Sequence, residues 1–351
     1  MMAKKISIVI LSVILFLCGC QSHQNEEVPK DDIETTEEGT ETENEEENYE
    51  YQDIVLDRSI TEGKFACYFF RSDYDYSAWT GTHHAGDSTL LIAPDGTTML
   101  IDCNTSVNAA HIVDYLQRLG IDELDYFVAT HFHSDHIGGI DTILKYMKIG
   151  QVYRNGADHY NNGDAWASNL VRSLDEYGIP HEPLWEGDEF MLGEAKVKVY
   201  NPPKDYDFTS KKGSAENSGS VAFKVTYGDS SFFLGGDIFL DAEERLVEKY
   251  GDEMQTDVVK MNHHGYIYSE GPEWIKTVDA KIACGHMSSV PSETVFFRYV
   301  LNGAVTMHTA LDGTCLVYTD GDGTYDVQVE GERDFDTYGT LETKKGHLKV
   351  E

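Results

Sequence analysis

Apolar residues fall along this chain in two rhythms, and the switches between them mark its elements. Short apolar runs such as Phe65-Ala66-Cys67-Tyr68-Phe69-Phe70 and Tyr126-Phe127-Val128-Ala129 have the length and aromatic content of buried strands. From Asn108 to Leu119, by contrast, apolar side chains recur at Ala109, Ile112, Val113, Leu116 and Leu119, and Gly120 follows as a stop. That spacing is close to one helical turn and predicts an amphipathic helix. The same reading predicts strands near 65–70, 88–93, 97–102, 125–130, 151–153, 195–200, 220–227, 231–236, 256–261, 280–284, 304–307 and 314–319. Helices are predicted near 107–119, 138–146, 164–178, 241–249, 271–277 and 292–301. No internal repeat is obvious. The alternation predicts an α/β domain in which two sheets pack together, helices lie outside, and loop-borne side chains gather at one edge.

The ends of the chain break both rhythms. Lys4 and Lys5 precede an apolar stretch, Ile6 to Leu17, of signal-peptide length. Leu17-Cys18-Gly19-Cys20 resembles a bacterial lipobox, which implies a mature chain beginning at a lipidated Cys20. The following segment is polar and acidic, with Glu41 to Glu47 almost wholly charged or polar. Such a stretch cannot bury enough surface to offset its ordering entropy, so it predicts a disordered tether kept extended by self-repulsion. The expected organisation is a signal peptide over 1–19, a tether over 20–58, one catalytic domain over 59–325 and a C-terminal tail over 326–351. The expected location is the outer face of the cytoplasmic membrane, held there by the lipid.

The formal net charge of −35 is shared between tether and domain. It argues against a broad electrostatic grip on nucleic acid or anionic lipid, though not against local, metal-mediated phosphate binding. Of six cysteines, Cys67, Cys103, Cys284 and Cys315 remain after Cys18 and Cys20. Each sits in or beside an apolar run and no C-x-x-C spacing occurs, so buried thiols are expected rather than metal ligands or a disulfide.

The chemistry is concentrated in His131-Phe132-His133-Ser134-Asp135-His136, directly after the strand-like run ending at Ala129. On extended backbone, His131 and His133 project to the same side and can reach one metal. Asp135 and His136 stand where the chain must turn and can aim at a second site. Imidazole and carboxylate ligands suit zinc, with manganese and iron as alternatives.

Thr130 to Gly139 resembles the signature of the metallo-β-lactamase fold superfamily of binuclear hydrolases. Gly86-Asp87-Ser88-Thr89-Leu90-Leu91-Ile92 resembles the opening strand of its competence-type branch, which includes the hydrolase domain of DNA-uptake channel proteins and similar secreted phosphodiesterases. Met99-Leu100-Ile101-Asp102 resembles its next strand, and Asp312-Gly313-Thr314 its closing hairpin. The resemblance implies a four-layer αβ/βα sandwich of two mixed β-sheets with outer helices. It implies that Asp237, after Phe232-Phe233-Leu234-Gly235-Gly236, bridges two metals. In Val258 to Gly265, strand register compared with the family favours His263 as the last ligand, leaving His264 to donate a proton or hydrogen bond to substrate. The first metal is then expected on His131, His133 and Asp237, and the second on Asp135, His136, Asp237 and His263. Many members carry a further histidine where this chain reads Ala215-Glu216-Asn217-Ser218-Gly219-Ser220, so solvent, Glu216 or Asn217 is expected to fill in.

The implied activity is metal-dependent hydrolysis of a small or polymeric phosphodiester by a hydroxide held between two divalent cations, with Asp135 steering its proton. Carboxylic esters, lactones or thioesters are the alternative substrates, and a surface binding protein braced by metal is a further alternative. His83 and His84 either touch substrate or are solvated loop residues, with solvation favoured; a supporting or proton-donor role is one reading of His286, after a strand; His159, His181 and His308 are expected to be structural or exposed. Tyr160, Trp166, Tyr177 and Trp185 either rim it or pack the helix near 164–178 on its sheet, with packing favoured.

Overall fold

The computed structural model describes residues 55–72, 86–157, 166–210, 215–286, 293–331 and 347–351. The signal segment, Cys20, the tether up to residue 54, His83, His84, His159 and Tyr160 lie outside the described residues.

In chain order the strands are β1 (Phe65–Phe69), β2 (Thr89–Ile92), β3 (Thr98–Ile101), β4 (Glu123–Ala129), β5 (Lys148–Arg154), β6 (His181–Pro183), β7 (Glu189–Leu192) and β8 (Ala195–Asn201). They continue as β9 (Ala222–Tyr227), β10 (Ser230–Leu234), β11 (Val258–Lys260), β12 (Ile282–Gly285), β13 (Val305–His308), β14 (Cys315–Thr319), β15 (Tyr325–Val329) and β16 (His347–Val350). One sheet has the spatial order β16-β15-β14-β1-β2-β3-β4-β5-β6 and the other β13-β12-β11-β10-β9-β8-β7. Both are mixed. β3 to β6 run parallel in the first and β10 to β13 in the second, while the hairpin-connected strands are antiparallel.

Side-chain alternation divides the core into layers. In β1, Phe65, Cys67 and Phe69 point between the sheets, where they meet Val197, Phe223, Val225 and Phe232. Ala66 and Tyr68 point the other way, into a cluster covered by the helices Ala109–Arg118, Ile140–Tyr146 and Trp166–Tyr177. The outer face of the second sheet, including Phe233 and Val259, packs against Leu246, Trp274 and Tyr299 from Leu240–Tyr250, Pro272–Val278 and Glu293–Leu301. The result is helix, sheet, sheet, helix, as expected. Cys67, Cys103, Cys284 and Cys315 are buried free thiols. Trp185 packs against the first-sheet core rather than standing free, while Tyr177 is 57% exposed. No helix among the described residues is long and apolar enough to cross a membrane.

One boundary differs from expectation. The described residues of the expected tail, 326–331 and 347–351, belong to the domain. β15 pairs along β14, and β16 along β15, so the chain's last residues build the edge of the first sheet. Val327, Val329, Leu348 and Val350 complete the inter-sheet core, a long-range partnership that gives no local signal.

Candidate metal centre

The parallel strands β3, β4 and β10 to β12 all end at the same edge, and every candidate ligand leaves from there. β4 runs into Thr130 and the His131 to His136 segment. β10 ends at Leu234, and Gly235-Gly236 then deliver Asp237. Both glycines are needed: a Cβ on Gly235 would lie 2.1 Å from Asn262 Oδ1, and Gly236 has φ +57 with Thr130 and Ser220 at 2.9 Å from any Cβ. β11 ends at Lys260, and Asn262-His263-His264-Gly265 turns at once.

Asp237 is central. Its Oδ2 lies 3.2 Å from His136 Nε2, 3.4 Å from His264 Nε2 and 3.9 Å from His131 Nε2. On one side, His131 Nε2 and His133 Nδ1 converge to 3.0 Å. On the other, Asp135 Oδ2 stands 3.3 Å from His264 Nε2. Ligand atoms of Asp87, His136, Asp237 and His264 lie within 4.8 Å of one another. Nε2 of His136, Nε2 of His264 and Oδ1 of Asp237 are buried without a hydrogen-bond partner. Buried polar atoms are rarely left so, and this convergence of orphaned nitrogen and oxygen donors fits a pair of divalent cations. His131 and His133 would share one, Asp135, His136 and His264 the other, with Asp237 between them.

The expected register at the last histidine is off by one. His264 enters the cluster, and His263 does not. The alternation used to choose between them applies to extended strand, but β11 has ended, and His263 (φ 46) and His264 (φ 57) are both left-handed. His263 instead packs its ring against Phe239 at 4.6 Å and Tyr266 at 5.4 Å, and its Nδ1 is buried without a partner. His264, cast as a proton donor to substrate, takes the ligand position. Glu216 also stands differently from expectation. Its Oε2 is 2.6 Å from His133 Nε2, the ring nitrogen turned away from His131, so it orients the ligand rather than completing the site.

Three partners stand behind the ligands. Asp102 Oδ2 accepts from His136 Nδ1 at 2.7 Å, and its other oxygen accepts from Thr130 N at 2.8 Å. Asp87 Oδ1 is 3.0 Å from His264 Nδ1, and its carboxylate is in close contact with the Lys260 ammonium. His286 Nδ1 is 3.6 Å from Asp87, and its Nε2 bonds Ser88 O at 2.9 Å, which sets it behind the cluster beside Asp87. A carboxylate behind a ligating imidazole fixes tautomer and ring orientation. A reading of Asp87 within its opening motif could have found one such partner, since it stands beside β2 at the edge where β3 ends.

The electrostatics agree. Burial works to raise Asp87 and Asp237, but Lys260 and neighbouring histidines outweigh it at Asp87, and His136 and His264 outweigh it at Asp237, holding both below the usual carboxylate range. Burial works to lower His136 and His264, yet Asp237 and its neighbouring carboxylates hold both well above the ordinary histidine value. Without metal, protons on these two rings balance the buried carboxylates, a part that cations would otherwise play.

Fold and donor set together define the class. Residues 82–286 match the family model of the Metallo-beta-lactamase superfamily, and the chain belongs to that superfamily. Among curated proteins, it is 24% identical over 172 residues to ComE operon protein 3 of Bacillus subtilis, covering 49% of this chain and 21% of that one. It is 25% identical over 229 residues to competence protein ComA of Neisseria gonorrhoeae, covering 64% of this chain and 29% of that one. The chain thus spans under a third of the length of either relative. Among solved structures, the metallo-beta-lactamase fold protein YhfI of Bacillus subtilis aligns with a TM-score of 0.47 at 11% identity, covering 70% of this chain and 95% of that one.

Proposed function

We propose that this protein is a metal-dependent phosphodiester hydrolase held by a lipid on Cys20 at the outer face of the cytoplasmic membrane. The observation that carries the reading is the convergence on Asp237 of two donor groups, His131 with His133 and His136 with His264 and Asp135. Two divalent cations bound there, zinc ahead of manganese or iron, would supply Lewis acidity toward a phosphoryl oxygen and make water a nucleophile at neutral pH.

The chain's own residues do the rest. Two carboxylates among otherwise neutral ligands leave such cations with net positive charge, which a phosphodiester anion complements better than a neutral ester does. Asp102 and Glu216 hold His136 and His133 in the tautomers that present a lone pair to the centre. Asp135 has the most exposed carboxylate of the cluster, at 33%, and is the residue assigned here to accept a proton from attacking water. The sequence likeness to competence proteins supports the same branch.

The test is turnover of bis(nitrophenyl) phosphate against nitrophenyl acetate before and after chelation. Phosphodiester turnover lost on chelation and restored by zinc or manganese is expected. Full turnover by metal-free protein, or turnover of the acetate alone, refutes the reading. The anchor is tested separately: Cys20→Ser should leave the membrane fraction.

A further inference from the structure

The loop that presents His264 is closed at its neck by two buried acids. Glu243, 1% exposed on the helix Leu240–Tyr250, accepts from both ends of the loop: Asn262 Nδ2 at 2.9 Å on one Oε1 lone pair, Glu270 N at 2.7 Å on the same oxygen, and Gly271 N at 2.9 Å on Oε2. Glu270, fully buried, returns across the neck. Its Oε1 accepts from Asn262 N and its Oε2 pairs with Tyr299 OH. Arg298 donates to the Glu270 carbonyl oxygen at 2.8 Å, not to a carboxyl group. Between these clamped ends lie His263 and His264, and Glu270 too is left-handed, at φ 60. Left-handed backbone on residues with a Cβ persists only where surrounding contacts over-determine it.

Resting on the metal-centre reading above, we propose that Glu243 and Glu270 are positioning residues for His264, one ionised and one carrying a proton, which lock the 262–271 loop so that Nε2 faces Asp237. Donor counting assigns the proton. Glu243 takes three N–H donors across both of its oxygens, an acceptor-only environment that suits the ionised partner of the pair. Glu270 needs one oxygen for Asn262 N, while the other faces a tyrosine hydroxyl that can accept as well as donate. Two carboxylates this deeply buried and adjacent do not both ionise. Burial and the charge of Glu243 also push the Glu270 carboxyl well above its ordinary range.

The assignment separates two substitutions that ordinary packing would treat alike. Glu270→Gln reproduces the protonated acid, its oxygen accepting from Asn262 N and its amide donating to Tyr299 Oη. Glu243→Gln must turn an NH2 group against an N–H donor whichever way it lies. The full chain is titrated with cobalt(II), read by visible absorption, and the equivalent lost in His264→Ala identifies the site that His264 serves. Glu243→Gln and Glu270→Leu should weaken that equivalent by about 10–100-fold, while Glu270→Gln stays within about threefold of wild type. The other equivalent should be unmoved in all three. Should Glu243→Gln not fold, Asn262→Ala removes only the side-chain end of the same link and should also weaken the His264 equivalent. Wild-type affinity in folded Glu243→Gln or Asn262→Ala, or Glu270→Gln as damaging as Glu270→Leu, overturns the assignment. Failure of the wild type to bind cobalt overturns the metal-centre reading itself and the assignment with it.

Discussion

Lys260 is the cation on which the buried end of this site depends, and replacing it by methionine isolates that dependence. The side chain is 3% exposed at the end of β11. Its ammonium contacts the Asp87 carboxylate, donates to Gly236 O at 2.8 Å and Met261 O at 3.1 Å, and lies 3.8 Å from Asp237 Oδ1. Methionine keeps most of the stem's volume and removes the charge. Breaking a buried pair by deleting one partner costs about 3–5 kcal/mol, because the other charge is left without compensation. Asp87 keeps His264 and His286 as neighbours, which favours the lower end, about 3 kcal/mol. Urea denaturation of chelator-treated protein at neutral pH measures this, provided the slope with denaturant is unchanged. The double variant Lys260→Met/Asp87→Leu removes both charges, so its loss should fall short of the summed single losses by more than about 1.5 kcal/mol. A loss below about 1 kcal/mol for Lys260→Met, or additivity within about 0.5 kcal/mol in the cycle, refutes the reasoning.

Three further outcomes follow from the geometry. His264→Ala should lose about one metal equivalent by elemental analysis whereas His263→Ala keeps its full content, and the reverse would restore the register expected from strand alternation. Glu216→Ala frees the His133 ring, so the site shared with His131 should bind about 10–100-fold more weakly, read by competition with a chelator, and unchanged affinity would deny Glu216 its orienting part. Burial and the charge of Glu243 hold the Glu270 carboxyl well above the ordinary glutamate range, so its contribution to stability is whole below that range and is lost as pH rises through and beyond it. Glu270→Gln escapes that loss, and its stability relative to wild type should therefore climb as pH rises above the ordinary glutamate range, by up to about 1.4 kcal/mol per pH unit. A pH-independent difference in urea midpoint would show that Glu270 is not protonated in the folded state.

What could be read from the chain and what could not divide along a physical line. Among the described residues, every run predicted as a strand formed one and every helical period formed a helix, because burial of one face is written locally. The short β6 and β7 escaped, having too few positions to show a period, and β15 and β16 were taken for tail because what defines them is a partner strand. The ligand segment from His131 to His136 announced itself by density. Asp87, Asp102, Lys260, Glu243 and Glu270 did not, since each is an ordinary residue until the fold sets it behind a histidine or across the neck of a loop. The choice of His263 over His264 failed for a related reason. Alternation is a property of extended backbone, and it was carried past Lys260 into residues whose φ angles are positive. A left-handed pair is unfavourable for histidine by about 1–2 kcal/mol per residue, so it stands only where something else holds it. Here that something is remote in sequence: Glu243 lies some twenty residues before the loop it closes and Tyr299 some thirty after it. A ligand whose direction is set by strain therefore cannot be assigned from its neighbours in the chain, and the residues that decide it are the buried acids that tie Asn262 to Glu270 and Gly271 across the neck of the loop.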